Sequence, residues 1–163
     1  KNRKSHKLVQ QGLSILSCLT HRGAAGADPL AGDGAGILIQ LPDKFLREEC
    51  ADLGMNLPSA GEYGVGMTFL PQDEKSRAKC EEAIESIINA EGQKTLGWRD
   101  LPTDNSFLSE TVREMEPFIR QVFIGKGANC SDINQFESKL FIVRKQAHQL
   151  INHASNQIYF WKI

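Results

Sequence analysis

Residues 21–42, HRGAAGADPLAGDGAGILIQLP, begin in glycines and end in an apolar run. Gly23, Gly26, Gly32, Gly34 and Gly36 crowd into the first part. Glycine at that density marks backbone in conformations that a side chain would forbid, or backbone brought close to another group. Ala35 to Leu41 is short and apolar, includes the β-branched Ile37 and Ile39, and is closed by Pro42. This is the pattern of a strand buried on both faces. The order is therefore helix, glycine loop, strand. Gly32-Asp33-Gly34-Ala35-Gly36 resembles a nucleotide loop in composition, but a dinucleotide fingerprint follows a strand and opens a helix. No Gly-Lys-Ser/Thr follows either, which excludes a P-loop.

On the N-terminal side, Leu8, Val9, Gly12, Leu13, Leu16 and Leu19 share one stripe at helical spacing, and Ser5 can cap a helix over residues 5–20. Gly12 on the stripe predicts close approach to a neighbour. On the C-terminal side, Pro42-Asp43 starts a second helix that ends at Gly54. Residues 54–61 form a loop and the best internal boundary, dividing the chain into 1–60 and 61–163.

Beyond the boundary the periodicity predicts a strand over 63–70, a helix over 73–90 with Ala83, Ile84, Ile87 and Ile88 inward, and a strand over 93–101 carrying Trp98. A short helix capped by Ser109 follows, then a strand over 117–125. A long helix capped by Ser131 runs to about His153, and a last strand covers 157–163. Residues 63–163 thus read β-α-β-(α)-β-α-β, the ferredoxin-like split βαβ order of an α+β protein.

The 163 residues carry 19 Lys and Arg against 20 Asp and Glu, a net charge of −1. The charges are interspersed, and the single basic cluster, Lys1 to Lys7, is short, so nothing marks a nucleic-acid surface. No run is long and apolar enough to span a bilayer, and no signal peptide is recognisable. Cys18, Cys50, Cys80 and Cys130 are widely spaced and form no CxxC pair, so no metal site is expected and free thiols in a reducing compartment are. His148 and His153 lie five apart on a helix, a poor separation for a shared metal. The chain starts without methionine, which suggests a trimmed piece.

His21-Arg22-Gly23, Gly26-Ala27-Asp28 and Gly32-Asp33-Gly34-Ala35-Gly36 together resemble the amidotransferase domain of the glutamate synthase large subunit, a class II glutamine amidotransferase. Lys4-Ser5-His6, Pro42-Asp43, Gly97-Trp98-Arg99 and Pro102-Thr103-Asp104 extend the likeness over nearly the whole chain. The resemblance implies an internal fragment of the four-layer αββα N-terminal-nucleophile fold. It implies hydrolysis of glutamine to glutamate and ammonia by a cysteine at the very N-terminus, whose own α-amino group is the base. The ammonia would serve reductive amination of 2-oxoglutarate. FMN and an iron–sulfur cluster are implied for the parent enzyme and none for this chain. Partners would be glutamine, the remaining synthase domains, and an electron-donor subunit or ferredoxin. The setting would be the cytoplasm, or a plastid in a photosynthetic eukaryote.

The family's nucleophile, its carboxylate-binding arginine, its Asn-Gly oxyanion pair and its amine-binding aspartate match no position here. No catalytic residue is expected in this chain, and the fragment alone should be inactive. Pocket candidates are Arg22, His21 and Asp33, with Gly23, Gly26, Gly32, Gly34 and Gly36 as the structural loop. Arg22 either holds a carboxylate or pins the loop to the strand that follows. Asp33 either caps the turn at Gly34 or orients Arg22. His21 is expected to be a buried, hydrogen-bonded residue. The strand at 35–41 would find its neighbours outside residues 1–163, or pair with a second copy in a homodimer. Without the first half, residues 63–163 would equally suit an ACT-like amino-acid-binding regulatory module.

Overall fold

The computed structural model describes residues 5–23, 34–154 and 160–161. Ten elements follow in order: α1 (His6–Cys18), a 3-10 turn (Thr20–Arg22), α2 (Asp43–Asp52), β1 (Tyr63–Leu70), α3 (Glu74–Ala90), β2 (Lys94–Asp100), α4 (Glu110–Glu114), β3 (Phe118–Gly125), α5 (Ile133–Ala154) and β4 (Phe160–Trp161). They fall into two compact units, Lys1–Asp43 with Asp104–Met115, and Lys44–Thr103 with Glu116–Ile163.

The second unit is a mixed α/β structure around a four-stranded sheet of order β2-β3-β1-β4, every neighbouring pair antiparallel. The β-α-β-(α)-β-α-β order read from the sequence is the order observed. Val65 pairs with Phe123 and Gly66 with Val122, so alternate residues of β3 face opposite sides of the sheet. Val122 and Ile124 join the core formed with α3 and α5 by Ile84, Ile87, Ile88, Phe136, Leu140, Val143 and Ala147. Trp98 packs against that core from β2 and donates from Nε1 to Glu85 Oε1 at 2.7 Å. Phe123 is turned the other way and is equally buried.

That second face is covered from α2. Leu46, Cys50 and Leu57 are buried, and Arg47 donates to the carbonyls of Leu57 and Pro58 at 2.6 and 2.9 Å, folding the loop back on the helix. The register of β2 shifts between Thr95 and Gly97, a bulge that brings Gly97 opposite Phe123. Gly97 has φ +155, and a Cβ there would collide with Sδ of Met55. Glycine at the bulge lets the chain after α2 lie directly on the sheet.

Helix starts follow side-chain chemistry. Asp73 caps α3 by accepting from Ser76 N at 2.8 Å. At α5 the cap is Asp132, which accepts from Gln135 N at 2.9 Å; the neighbouring Ser131, expected in that role, instead donates its backbone N–H to Gln135 Oε1. The two helices are tied by Glu91, whose carboxylate accepts from Lys139 Nζ at 2.8 Å and Gln146 Nε2 at 2.7 Å.

The first unit differs from expectation at its strand. Residues 35–41 form no element of secondary structure and enter no sheet, and Ile37, Leu38 and Ile39 are exposed, Leu38 by 84%. A strand needs a neighbour for its backbone hydrogen bonds, and no described strand pairs with this run. Helix α1 buries none of its side chains completely. Of its apolar stripe, Val9, Gly12 and Leu16 are half-buried, whereas Leu8, Leu13 and Leu19 are exposed. Gly12 faces Ile37, but without the close approach expected there: a Cβ would meet Ile37 Cγ2 at 3.4 Å, ordinary contact. Ser5 holds the N-cap position of α1 without a side-chain hydrogen bond.

Three outcomes follow from this packing. Gly97→Val should destabilise by about 1–3 kcal/mol, the usual cost of overpacking, and Met55→Ala should recover part of the loss; chemical denaturation of both variants and the double variant reads the coupling. In a dilute monomeric sample, amides of 35–41 should exchange with solvent much faster than those of 118–124, and equal protection would contradict the exposed run. Hydrogen bonds from Lys139 and Gln146 hold the Glu91 carboxyl below its ordinary value. A depressed folded pKa contributes stability above the unfolded value, about 4.3, and loses it as pH falls through the folded one. Glu91→Gln should therefore flatten the acid limb of stability against pH below about 4.3.

Candidate functional site

The glycine stretch opens from the end of α1. The 3-10 turn Thr20–Arg22 presents His21 and Arg22, with Arg22 N bonded to the Leu19 carbonyl at 2.9 Å. His21 Nδ1 lies 3.0 Å from the Cys18 carbonyl oxygen. A carbonyl only accepts, so Nδ1 carries the hydrogen and the neutral ring keeps its lone pair on Nε2. His21 is exposed, not buried as expected. The backbone contact, not a core, satisfies it. Arg22 is also exposed, and among the described residues no acceptor is placed against its guanidinium. His21 and Arg22 thus leave one helical turn together, with the Arg22 cation at its C-terminal end, where positive charge is favoured.

Gly34 has φ +75 with nothing within 4 Å of where a Cβ would stand, so the constraint is conformational and not steric. Gly36 is open in the same sense, and Gly23 is an exposed bend directly after the turn. Asp33, Gly26 and Gly32 lie outside the described residues. The Arg22–Asp33 alternative therefore has no geometry attached.

A second concentration of charge lies within the second unit, at the end of β2. A cleft of about 420 Å³ is lined by residues that include Glu49, Asp52, Trp98, Arg99, Asp100 and Arg120. Its arginines are already engaged. Arg99, buried, pairs with Glu49 and donates from Nη1 to Gln121 Oε1 at 3.1 Å. Arg120 pairs with Glu81 at 2.7 Å and Asp100 at 2.5 Å, and lies 5.4 Å from the Trp98 ring centre. Burial opposes the charge of Arg120, but Glu81 and Asp100 outweigh it and raise its pKa above the usual value. Gly97-Trp98-Arg99 is the sequence signal at this place; its partners in α2 and β3 come from distant segments.

Two of the thiols, Cys50 and Cys80, are not poised for nucleophilic attack. Cys50, Cys80 and Cys130 are buried, and Cys18 is exposed on α1. Burial pushes the Cys50 thiol up, against the opposing field of Arg99, and pushes Cys80 up as well. Cys130 sits in a polar knot: Gln93 Nε2 approaches its Sγ at 3.5 Å, and Gln93 Oε1 accepts from Gly127 N at 2.9 Å. An iron–sulfur cluster needs converging cysteine thiolates. Among the described residues no group of three or more His, Cys, Asp or Glu is arranged to hold a metal ion, so these residues do not fit a cluster. No described helix is long and apolar enough to cross a membrane.

Comparison with known proteins places these features. The family "Glutamine amidotransferases class-II" matches residues 1–163, and the chain belongs to that family. It is 46% identical over 147 residues to the NADPH glutamate synthase large chain of Bacillus subtilis, covering 90% of this chain and 10% of that protein. It is 35% identical over 156 residues to the NADH glutamate synthase of Schizosaccharomyces pombe, covering 93% of this chain and 7% of that protein. It is 32% identical over 162 residues to a chloroplastic ferredoxin-dependent glutamate synthase of Arabidopsis thaliana, covering 98% of this chain and 10% of that protein. The chain thus spans about a tenth of the length of the curated relatives it matches. The family match runs through residues 63–163 as well as through the glycine stretch.

Denatured and unreduced, the protein should titrate four thiols; native, Cys18 should react well ahead of Cys50, Cys80 and Cys130. A native chain in which a buried cysteine is modified first would contradict the packing around it.

Proposed function

We propose that residues 1–163 are part of the amidotransferase domain of a glutamate synthase. That domain hydrolyses glutamine to glutamate and ammonia, and the ammonia serves reductive amination of 2-oxoglutarate. The observation that carries this reading is the family match along the whole chain, joined to 46% identity with a glutamate synthase large chain. On this reading residues 1–60 and 61–163 are two stretches of one domain. The sheet of the second unit is the ferredoxin-like part of a four-layer αββα N-terminal-nucleophile fold.

The chemistry implied is attack of a thiolate on the glutamine amide, release of ammonia, and hydrolysis of the thioester. We assign no catalytic step to a residue of this chain. Burial and raised pKa values at Cys50 and Cys80 support leaving the nucleophile outside it. Arg22 is the residue proposed to line the glutamine pocket, as a guanidinium that holds a carboxylate or a backbone carbonyl and apart from the family's own carboxylate-binding arginine, with His21 and Asp33 beside it and Gly23, Gly26, Gly32, Gly34 and Gly36 shaping the loop. The exposure of Arg22 and its freedom from described acceptors support that role.

FMN and an iron–sulfur cluster are proposed for the remaining domains of the longer polypeptide. An electron-donor subunit or ferredoxin would be its redox partner. The compartment would be the cytoplasm, or a plastid in a photosynthetic source. The exposed run at 35–41 favours pairing with another strand, and a homodimer of the isolated chain is one way to supply it.

The test uses the longer polypeptide that contains these residues. Arg22→Ala should raise KM for glutamine roughly tenfold to a hundredfold, the loss of a charge-assisted contact of about 1.5–3 kcal/mol, with ammonia-dependent synthesis unchanged. An unaltered KM would remove Arg22 from the pocket. Replacing Cys18, Cys50, Cys80 and Cys130 one at a time by Ser should leave glutamine hydrolysis in place. Abolition by any one of them in a folded variant would overturn the placement of the nucleophile, and absence of glutamine hydrolysis in the unaltered polypeptide would overturn the function.

A further inference from the structure

We draw no further inference here: the strongest candidate, the cleft at the end of β2 where Glu49, Asp52 and Asp100 stand around Trp98, is a set of acidic side chains whose neighbouring arginines are already paired, with no independent feature that points to a ligand.

Discussion

Pairing of Val65 with Phe123 and of Gly66 with Val122 decides which side chains of the two central strands meet α3 and α5. The side-chain period of a strand is two, so a slip of one residue would exchange the faces. Val122 and Ile124 would leave the helical core, and Phe123 would be driven into it. Both faces of β3 are buried, but by different means. One face receives two long helices through aliphatic and aromatic contacts. The other receives a short helix and its loop, held by the glycine at the β2 bulge and by the pairing of Arg99 with Glu49.

These two attachments differ in kind. The α3–α5 face is continuous apolar packing, whose stabilisation grows with the area removed from water. The α2 face depends on a few specific contacts. Arg99 is buried beside a half-exposed carboxylate, and a buried charge is tolerated only while its partner stays. Arg47 adds two hydrogen bonds to carbonyls that would otherwise face the helix unpaired. The attachment of α2 is thus sensitive to single polar substitutions in a way that the helical core is not.

Much of the second unit was legible because its signals are local. The 3.6-residue spacing of Ile84, Ile87 and Ile88 marks the buried stripe of α3 directly, whereas in α5 the apolar positions outnumber the buried ones: Phe136, Leu140, Val143 and Ala147 are buried, but Ile133, Phe141 and Leu150 are exposed. The cap of α5 was missed by one residue. Ser131 and Asp132 are both competent caps, and only the approach of Asp132 Oδ1 to Gln135 N separates them. The cleft was not legible as a unit. Glu49, Arg99 and Gln121 are brought together from positions 50 and 22 residues apart, and no periodicity reports such a meeting. At the start of the glycine stretch, residue types did not report that His21 would be satisfied by the Cys18 carbonyl while remaining exposed.

The run Ile37-Leu38-Ile39 shows what an apolar pattern does and does not encode. Residues 63–70 and 35–41 are both apolar, strand-like stretches, yet one is paired on both sides and buried while the other is unpaired and exposed. Composition expresses a tendency to leave water; burial also requires a surface to meet and a backbone to bond. For 63–70 that surface is made by elements within the second unit. For 35–41 the described residues contribute contact with Gly12 of α1 but no second strand. Exposed Leu8, Leu13, Ile15 and Leu19 belong to the same unit, so apolar surface is concentrated where the glycine stretch begins and ends. Surface of this kind marks contact with other protein more often than a solvent face. In a chain that spans about a tenth of its relatives' length, it supports the proposal that the domain is completed by further polypeptide packed against this unit.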